Sequence, residues 1–263
     1  MPNKCMKLIV IAKKNLASVN IGKILKEKHK LAKEFFEIPD DVLDLDKYEK
    51  DFAKLKPDLI IVASSHKSEA NVPMLNCHST GNWTSDNSRG GKEKTLSIAP
   101  ALYVRFGLLE FQKLKQERKE LAKYEVGMEV THHSPTIPFS VIFVEVGSSE
   151  KEWSDMKACE AAADVVYKIA TQVPKKVPVA IGFGGSHYAA SFNRKLFAEE
   201  IAFGHVCPKF HSDGLDEGMI LQAIKRTEPR PDFAAIEWKG LTSEQKKKII
   251  EILDKNKIPW KRI

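Results

Sequence analysis

The run DLIIVAS at residues 58–64 decides the fold class, together with its counterpart SVIFVEV at residues 140–146. Both are dominated by apolar side chains. A strand with one wet face would alternate apolar and polar residues, whereas a continuous apolar run is the pattern of a strand covered on both faces. Such strands belong to mostly parallel sheets, in which the crossover helices supply the cover.

Working outward, the same alternation of short apolar runs and helical periodicity fills the chain. KLIVIA (7–12), GMEVTHH (127–133), FSVIFVEVG (139–147), VPVAIGFGG (177–185) and PDFAAIEWKG (231–240) read as further strands. Residues 20–36 read as an amphipathic helix with Ile21, Ile24, Leu25 and Leu31 inward, and 152–172 and 188–200 as two more. Residues 242–256 read as a capped helix, because Gln245 stands at capping-box distance from Thr242. There is no repeat, low-complexity tract or long linker. The expectation is one α/β domain over residues 1–263, three layers α/β/α, with a mostly parallel or mixed sheet. Ligands in such sheets bind beyond the carboxyl ends of the strands.

Composition narrows the class. Hydrophobic residues make up 43% and charged residues 29%, the profile of a globular protein. KLIVIA is too short for a signal segment or a membrane span. Cys5, Cys77, Cys159 and Cys207 form no CxxC, which suits reduced thiols and a cytoplasmic location. The net charge of +7 is uneven: residues 1–33 carry nine lysines against the single acid Glu27, a surplus of +8, so the remainder sums to −1. A basic end of this kind attracts a polyanion such as RNA or DNA, although the same lysines would also serve as the wet face of an amphipathic helix.

Polar clusters gather in four segments: 77–95, 131–136, 182–188 and 203–211. They hold six of the eight histidines; His29 and His66 fall outside them. The first is a long Gly/Ser/Asn-rich loop carrying His78, Asn82, Trp83, Asp86 and Arg89, and structureless loops of that length are usually functional or mobile. In the third, Gly184, Gly185 and Ser186 permit a tight strand-to-helix turn whose amides could hold an anion or an oxyanion, or simply cap a helix. It is not a dinucleotide fingerprint, since His187 stands where the third glycine belongs. Adjacent strand residues point to opposite faces, so His132 and His133 share one site only if the strand has ended, as Pro135 suggests. Histidines with Cys207 and carboxylates such as Asp86, Glu129 or Glu145 suit zinc, and a metal-free histidine base is the alternative. Trp83 and Phe183 offer either a stacking surface for a base or core packing.

Taken together, CHSTGNW, GMEVTHHSPT, VAIGFGGSHYAASFNRK and FGHVCPKFH resemble the archaeal and plant type of D-aminoacyl-tRNA deacylase, the D-tyrosyl-tRNA deacylase family distinct from the bacterial one. The resemblance implies a phosphorylase/hydrolase-like α/β/α fold reminiscent of peptidyl-tRNA hydrolase. It implies hydrolysis of the ester between a D-amino acid and the terminal ribose of tRNA, by a zinc-containing monomer. On that reading His132 and His187 are catalytic, with Gly184, Gly185 and Ser186 holding the oxyanion. Asn82, Trp83, Arg89, Phe183 and Arg194 contact substrate, and His78, His133, His205 and Cys207 hold the metal. A zinc-assisted peptidase or amidohydrolase, and a non-catalytic tRNA-binding protein, are the competing classes.

Overall fold

The two apolar runs lie side by side at the centre of a six-stranded sheet, paired in parallel from Ile60 opposite Val141 to Lys67 opposite Ser148. The structure, a computed structural model, describes residues 6–68 and 71–263, so Cys5 and Lys4 lie outside the described residues. In chain order the first half contains β1 (Lys7–Ala12), α1 (Leu16–His29), β2 (Phe35–Ile38), α2 (Glu49–Leu55), β3 (Leu59–Lys67), β4 (Met74–His78), the short β5 (Gly81–Asn82), β6 (Thr95–Leu96) and β7 (Ala99–Pro100), and α3 (Ala101–Glu117). The second half contains β8 (Glu125–Gly127), β9 (Val141–Ser148), α4 (Glu150–Trp153), α5 (Met156–Thr171), β10 (Val179–Phe183), α6 (Ala190–Ala198), β11 (Ala202–Cys207), α7 (Glu217–Lys225), β12 (Thr227–Glu228), β13 (Phe233–Ile236), α8 (Ser243–Lys255) and β14 (Trp260–Arg262).

The large sheet has the order β2-β1-β3-β9-β4-β8 and is parallel except where β4 runs against β9. Alternation along its strands assigns the two faces. Ile9, Ile11, Ile61, Ala63, Val144 and Val146 face α1, α3 and α5, which contribute Leu25, Phe111 and Val165 to that core. Leu8, Val10, Ile60, Val62, Val141 and Phe143 face a 3-10 segment Val42–Tyr48 and α2, with Phe52 beneath. Helical cover on both faces is the three-layer arrangement that the continuous apolar strands require. A second sheet, β11-β10-β13-β14, is wholly parallel and packs Ile181, Phe183, Ala234 and Ile236 against α7 and α8.

Several boundaries differ from the sequence reading. The first helix begins at Leu16, where Asn15 caps it by accepting from Ser18 N, and ends at Lys30 in a left-handed conformation (φ 57°). The rest of the expected 20–36 helix becomes the approach to β2. The expected helix 152–172 is two helices, broken where Asp155 accepts from Lys157 N and Ala158 N to start α5. GMEVTHH is not a strand beyond Gly127. Segment 77–95 is not structureless: His78 completes β4, β5 pairs with β6, and Asn82 Nδ2 donates to Gly90 O and Lys92 O. The Thr242–Gln245 capping box is present as expected.

Candidate active site

The carboxyl halves of β3 and β9, and β4 beside them, turn one sheet face from apolar to polar. Ile60 and Val62 on β3 are followed on the same face by Ser64 and His66. Val141 and Phe143 on β9 are followed by Glu145. Register sets Ser64 opposite Glu145, Asn76 opposite Glu145 and His78 opposite Phe143, so these polar side chains meet across three strands. Gly147 pairs with His66, and a Cβ there would sit 2.6 Å from the His66 Cβ, so the glycine makes room for the imidazole.

Residues 128–133 run across this floor between the two sheets. Asn193 on α6 clamps Met128, accepting from its N–H at 2.7 Å and donating to its carbonyl at 2.9 Å. Val130 N donates to His187 O and Thr131 N to Val206 O. These bonds deliver Glu129 and the two adjacent histidines to the floor. His133 has φ 51°, a left-handed turn, and its ring lies 4.4 Å from that of His132. The strand has ended, and both histidines enter the site.

Glu129 is the hub. Its Oε1 accepts from Asn76 Nδ2 at 2.6 Å and lies 2.8 Å from His66 Nδ1. Its Oε2 lies 3.1 Å from His187 Nε2 and 3.4 Å from His132 Nε2, yet makes no aligned hydrogen bond. Glu145 Oε2 lies 3.4 Å from His78 Nε2, which is likewise buried without a hydrogen-bonding partner. Burial works to raise the Glu129 carboxyl, but His187, His66 and the other imidazoles outweigh it and hold the group well below the usual carboxylate range. Burial pushes His132 far down, helped by His133, and takes His133 to about 4. Burial also opposes protonation of His78, but Glu145 overrides it and raises His78 to about 9. Glu129 lifts His66 in the same way against its burial.

This donor set fits a metal ion. His132 Nδ1 donates to Val130 O, His133 Nδ1 to Ser134 O and His78 Nδ1 to Ser79 O, which fixes each ring with Nε2 offering a lone pair. Three groups bring their ligand atoms within 4.8 Å of one another: His78, His132 and His133; Glu129, His132 and His187; His66, Glu129 and Glu145. Misaligned, buried nitrogens and oxygens converging on one space are what a bound cation would satisfy, and a cation would displace the proton that His78 otherwise keeps. The cleft above has a volume of about 970 Å³. Lys14, Lys67 and Arg89 reach its mouth, and Leu16, Leu43 and Trp153 form apolar parts of its walls.

The sequence family described as D-aminoacyl-tRNA deacylase matches residues 53–261. A protein of that description from Methanocaldococcus jannaschii is 36% identical over 265 residues, covering 97% of this chain and 99% of that one. One from Methanosarcina barkeri is 39% identical over 203 residues, covering 77% of this chain and 64% of its own length. The chain belongs to the D-aminoacyl-tRNA deacylase family. It matches less than two thirds of the length of the Methanosarcina barkeri relative. The fold is also that of a crystal structure described as a conserved protein of unknown function, AF0625, with TM-score 0.87, 25% identity, and coverage of 98% and 95% of the two chains.

Within this deacylase-family chain, His78, His132, His133 and His187 come together. His205 and Cys207 do not join them, because 203–207 is the buried strand β11 rather than a loop. His205 Nδ1 faces Thr131 Oγ1 at 3.1 Å and its Nε2 faces the carbonyls of Ser97 and Arg226, so it props the segment that carries His132. Cys207 lies in the apolar core of the second sheet. Gly184, Gly185 and Ser186 form a turn outside the cleft lining, with left-handed φ of 104° and 92° at the two glycines. Gly184 N already donates to Cys207 O, and Ser186 does not cap α6 with its side chain. Trp83 and Phe183 are buried against each other, 6.4 Å between ring centres, and are core rather than a stacking surface. Asn82 ties its own loop together, Arg89 lines the cleft, and Arg194 is exposed on α6 outside the lining.

Sequence reasoning gave no site role to His66, to Asn76 or to Tyr188, whose hydroxyl lies 3.3 Å from His66 Nε2 in the cleft lining. The available signal was the end of β3: an apolar run that closes on SSH at its carboxyl end places polar groups where α/β sheets bind ligands. The acid inside SVIFVEV was a second signal, since a carboxylate in a buried strand must have partners.

Proposed function

We propose that this chain hydrolyses the ester of D-aminoacyl-tRNA, releasing the D-amino acid and tRNA, with zinc held by the His/Glu cluster. The observation that carries the reading is the convergence of Glu129 with five imidazoles at the floor of one cleft, in a chain of this family. His78, His132 and His133 would hold the zinc, with Glu129 beside them. Zinc there would supply polarisation of the ester carbonyl and a lowered pKa for water. Glu129 and Glu145 balance the charge and accept protons from the surrounding imidazoles. His187, the least buried of the five, faces the cleft mouth and is placed to pass a proton between water and the leaving ribose oxygen. Arg89 and Lys14 at the mouth offer charge to the phosphates of the acceptor end.

The three described cysteines are free, which supports a reducing, cytoplasmic setting. No helix among the described residues is long and apolar enough to cross a membrane.

The test is amino-acid release from D-tyrosyl- and L-tyrosyl-tRNA with and without a chelator. The expected result is release of D-tyrosine, loss of that activity on chelation, and its return with added zinc. Equal release of both enantiomers, or full activity after verified metal removal, overturns the reading.

A further inference from the structure

Leu43 stands in the cleft wall beside the histidine floor. It is 39% exposed, while its neighbours Val42 and Leu45 are buried. The 3-10 segment that carries it is latched at two points to the residues that follow His133. Ser134 Oγ donates to Leu43 O at 2.6 Å, and Asp46 accepts from Thr136 N at 3.1 Å and from Thr136 Oγ1 at 2.6 Å. Asp41 caps the segment by accepting from Leu43 N at 3.1 Å. On the far side, Gly90 has φ 83°, and a Cβ there would lie 2.8 Å from Ser134 Oγ and 3.1 Å from Leu43 O, so the loop bearing Arg89 closes tightly over the same latch. The backbone of Leu43 is thus held by the residue that directly follows the histidine pair, and its apolar side chain lines the cleft.

We propose that Leu43 is the wall against which the amino-acid side chain of the acyl group packs, and that it sets the enzyme's preference among D-amino acids. This rests on the ester-hydrolase reading above. The scissile carbonyl must face the histidines, and the amino-acid side chain is only two bonds away from that carbon. It therefore packs on an apolar wall of the cleft, and Leu43, whose carbonyl is held by the residue after His133, supplies an exposed one. Leu16, the other exposed leucine of the cleft, belongs to the start of α1, where Asn15 donates to Ser65 Oγ. Removing a leucine from a pocket weakens large apolar groups and leaves small ones nearly unchanged, because only the former reach the lost surface.

The experiment measures kcat/KM for D-tyrosyl-, D-phenylalanyl- and D-alanyl-tRNA on the full-length metal-loaded protein, with metal content determined in parallel. Leu43→Ala is expected to lower the two aromatic substrates about ten-fold and D-alanyl-tRNA by less than about two-fold. Leu43→Phe, which narrows the cleft, is expected to penalise the aromatic acyl groups more than D-alanyl, and Leu43→Met to restore near-parental selectivity. If Leu43→Ala does not fold, the phenylalanine and methionine variants decide. A uniform loss across the three substrates, or unchanged selectivity in every folded variant, overturns the assignment of Leu43 alone. Failure of the parental protein to release any D-amino acid overturns the hydrolase reading, and this proposal with it.

Discussion

Glu129 and His205 are both buried polar residues near the same backbone segment, but they do different work, and single substitutions separate them. Glu129 touches four side chains of the floor, so Glu129→Gln keeps the shape and removes the charge that a cation would need. The expected result is loss of bound metal by elemental analysis and a fall in turnover of about 100-fold. His205 supports the fold, and burial lowers its pKa to about 4. An unfolded histidine titrates near 6.5, so the unfolded chain binds the extra proton between those values. The stability owed to neutral His205 is therefore complete above about pH 6.5 and lost as pH falls toward 4, on the order of 3 kcal/mol. His132 and His133 act in the same direction. The melting-temperature gap between the parent and His205→Asn is expected to be widest near pH 7.5 and to narrow by pH 4.5.

At the level of elements, α1, α5 and the turn after α3 meet on one carboxylate. Asp164 accepts from Lys28 at 2.7 Å, from Arg118 at 2.5 Å, and from His29 at 2.7 Å, while the His29 ring stacks on Tyr167 at 4.2 Å. This hub lies on the sheet face opposite the histidine floor. Asp164→Ala is expected to cost about 1–2 kcal/mol in urea unfolding, since Lys28 and Arg118 are partly exposed and can return to water. Turnover of the folded fraction should be unchanged. The lysines around this helix show how sequence reading falls short: they are exposed, but Lys13 and Lys26 are paired with Glu37, Lys14 with Asp40 and Lys28 with Asp164. The acids that balance them come from β2, the bend after it and α5, which a local charge count does not see.

For the whole molecule, a polyanionic substrate leaves a measurable mark. Lys23, Lys30 and Lys33 have no carboxylate within ion-pair distance among the described residues. Their joint replacement by glutamate is expected to weaken tRNA binding and flatten its dependence on salt concentration, read by filter binding across a salt series, with metal content unchanged. The parallel sheet, its two-sided cover and the amphipathic helices were legible in the sequence, because burial on both faces or on one face writes a period into neighbouring residues. The four grouped histidine segments were legible as well, and four of their six histidines do meet. His66, Asn76 and Glu129 became a site only through strand register and the chain crossing at residues 128–133, while His205, Cys207, Trp83 and Phe183 became core. Local pattern fixes which way a side chain faces relative to its own strand or helix. Which distant side chain it meets there depends on pairings between segments far apart in the chain, and no local period encodes those.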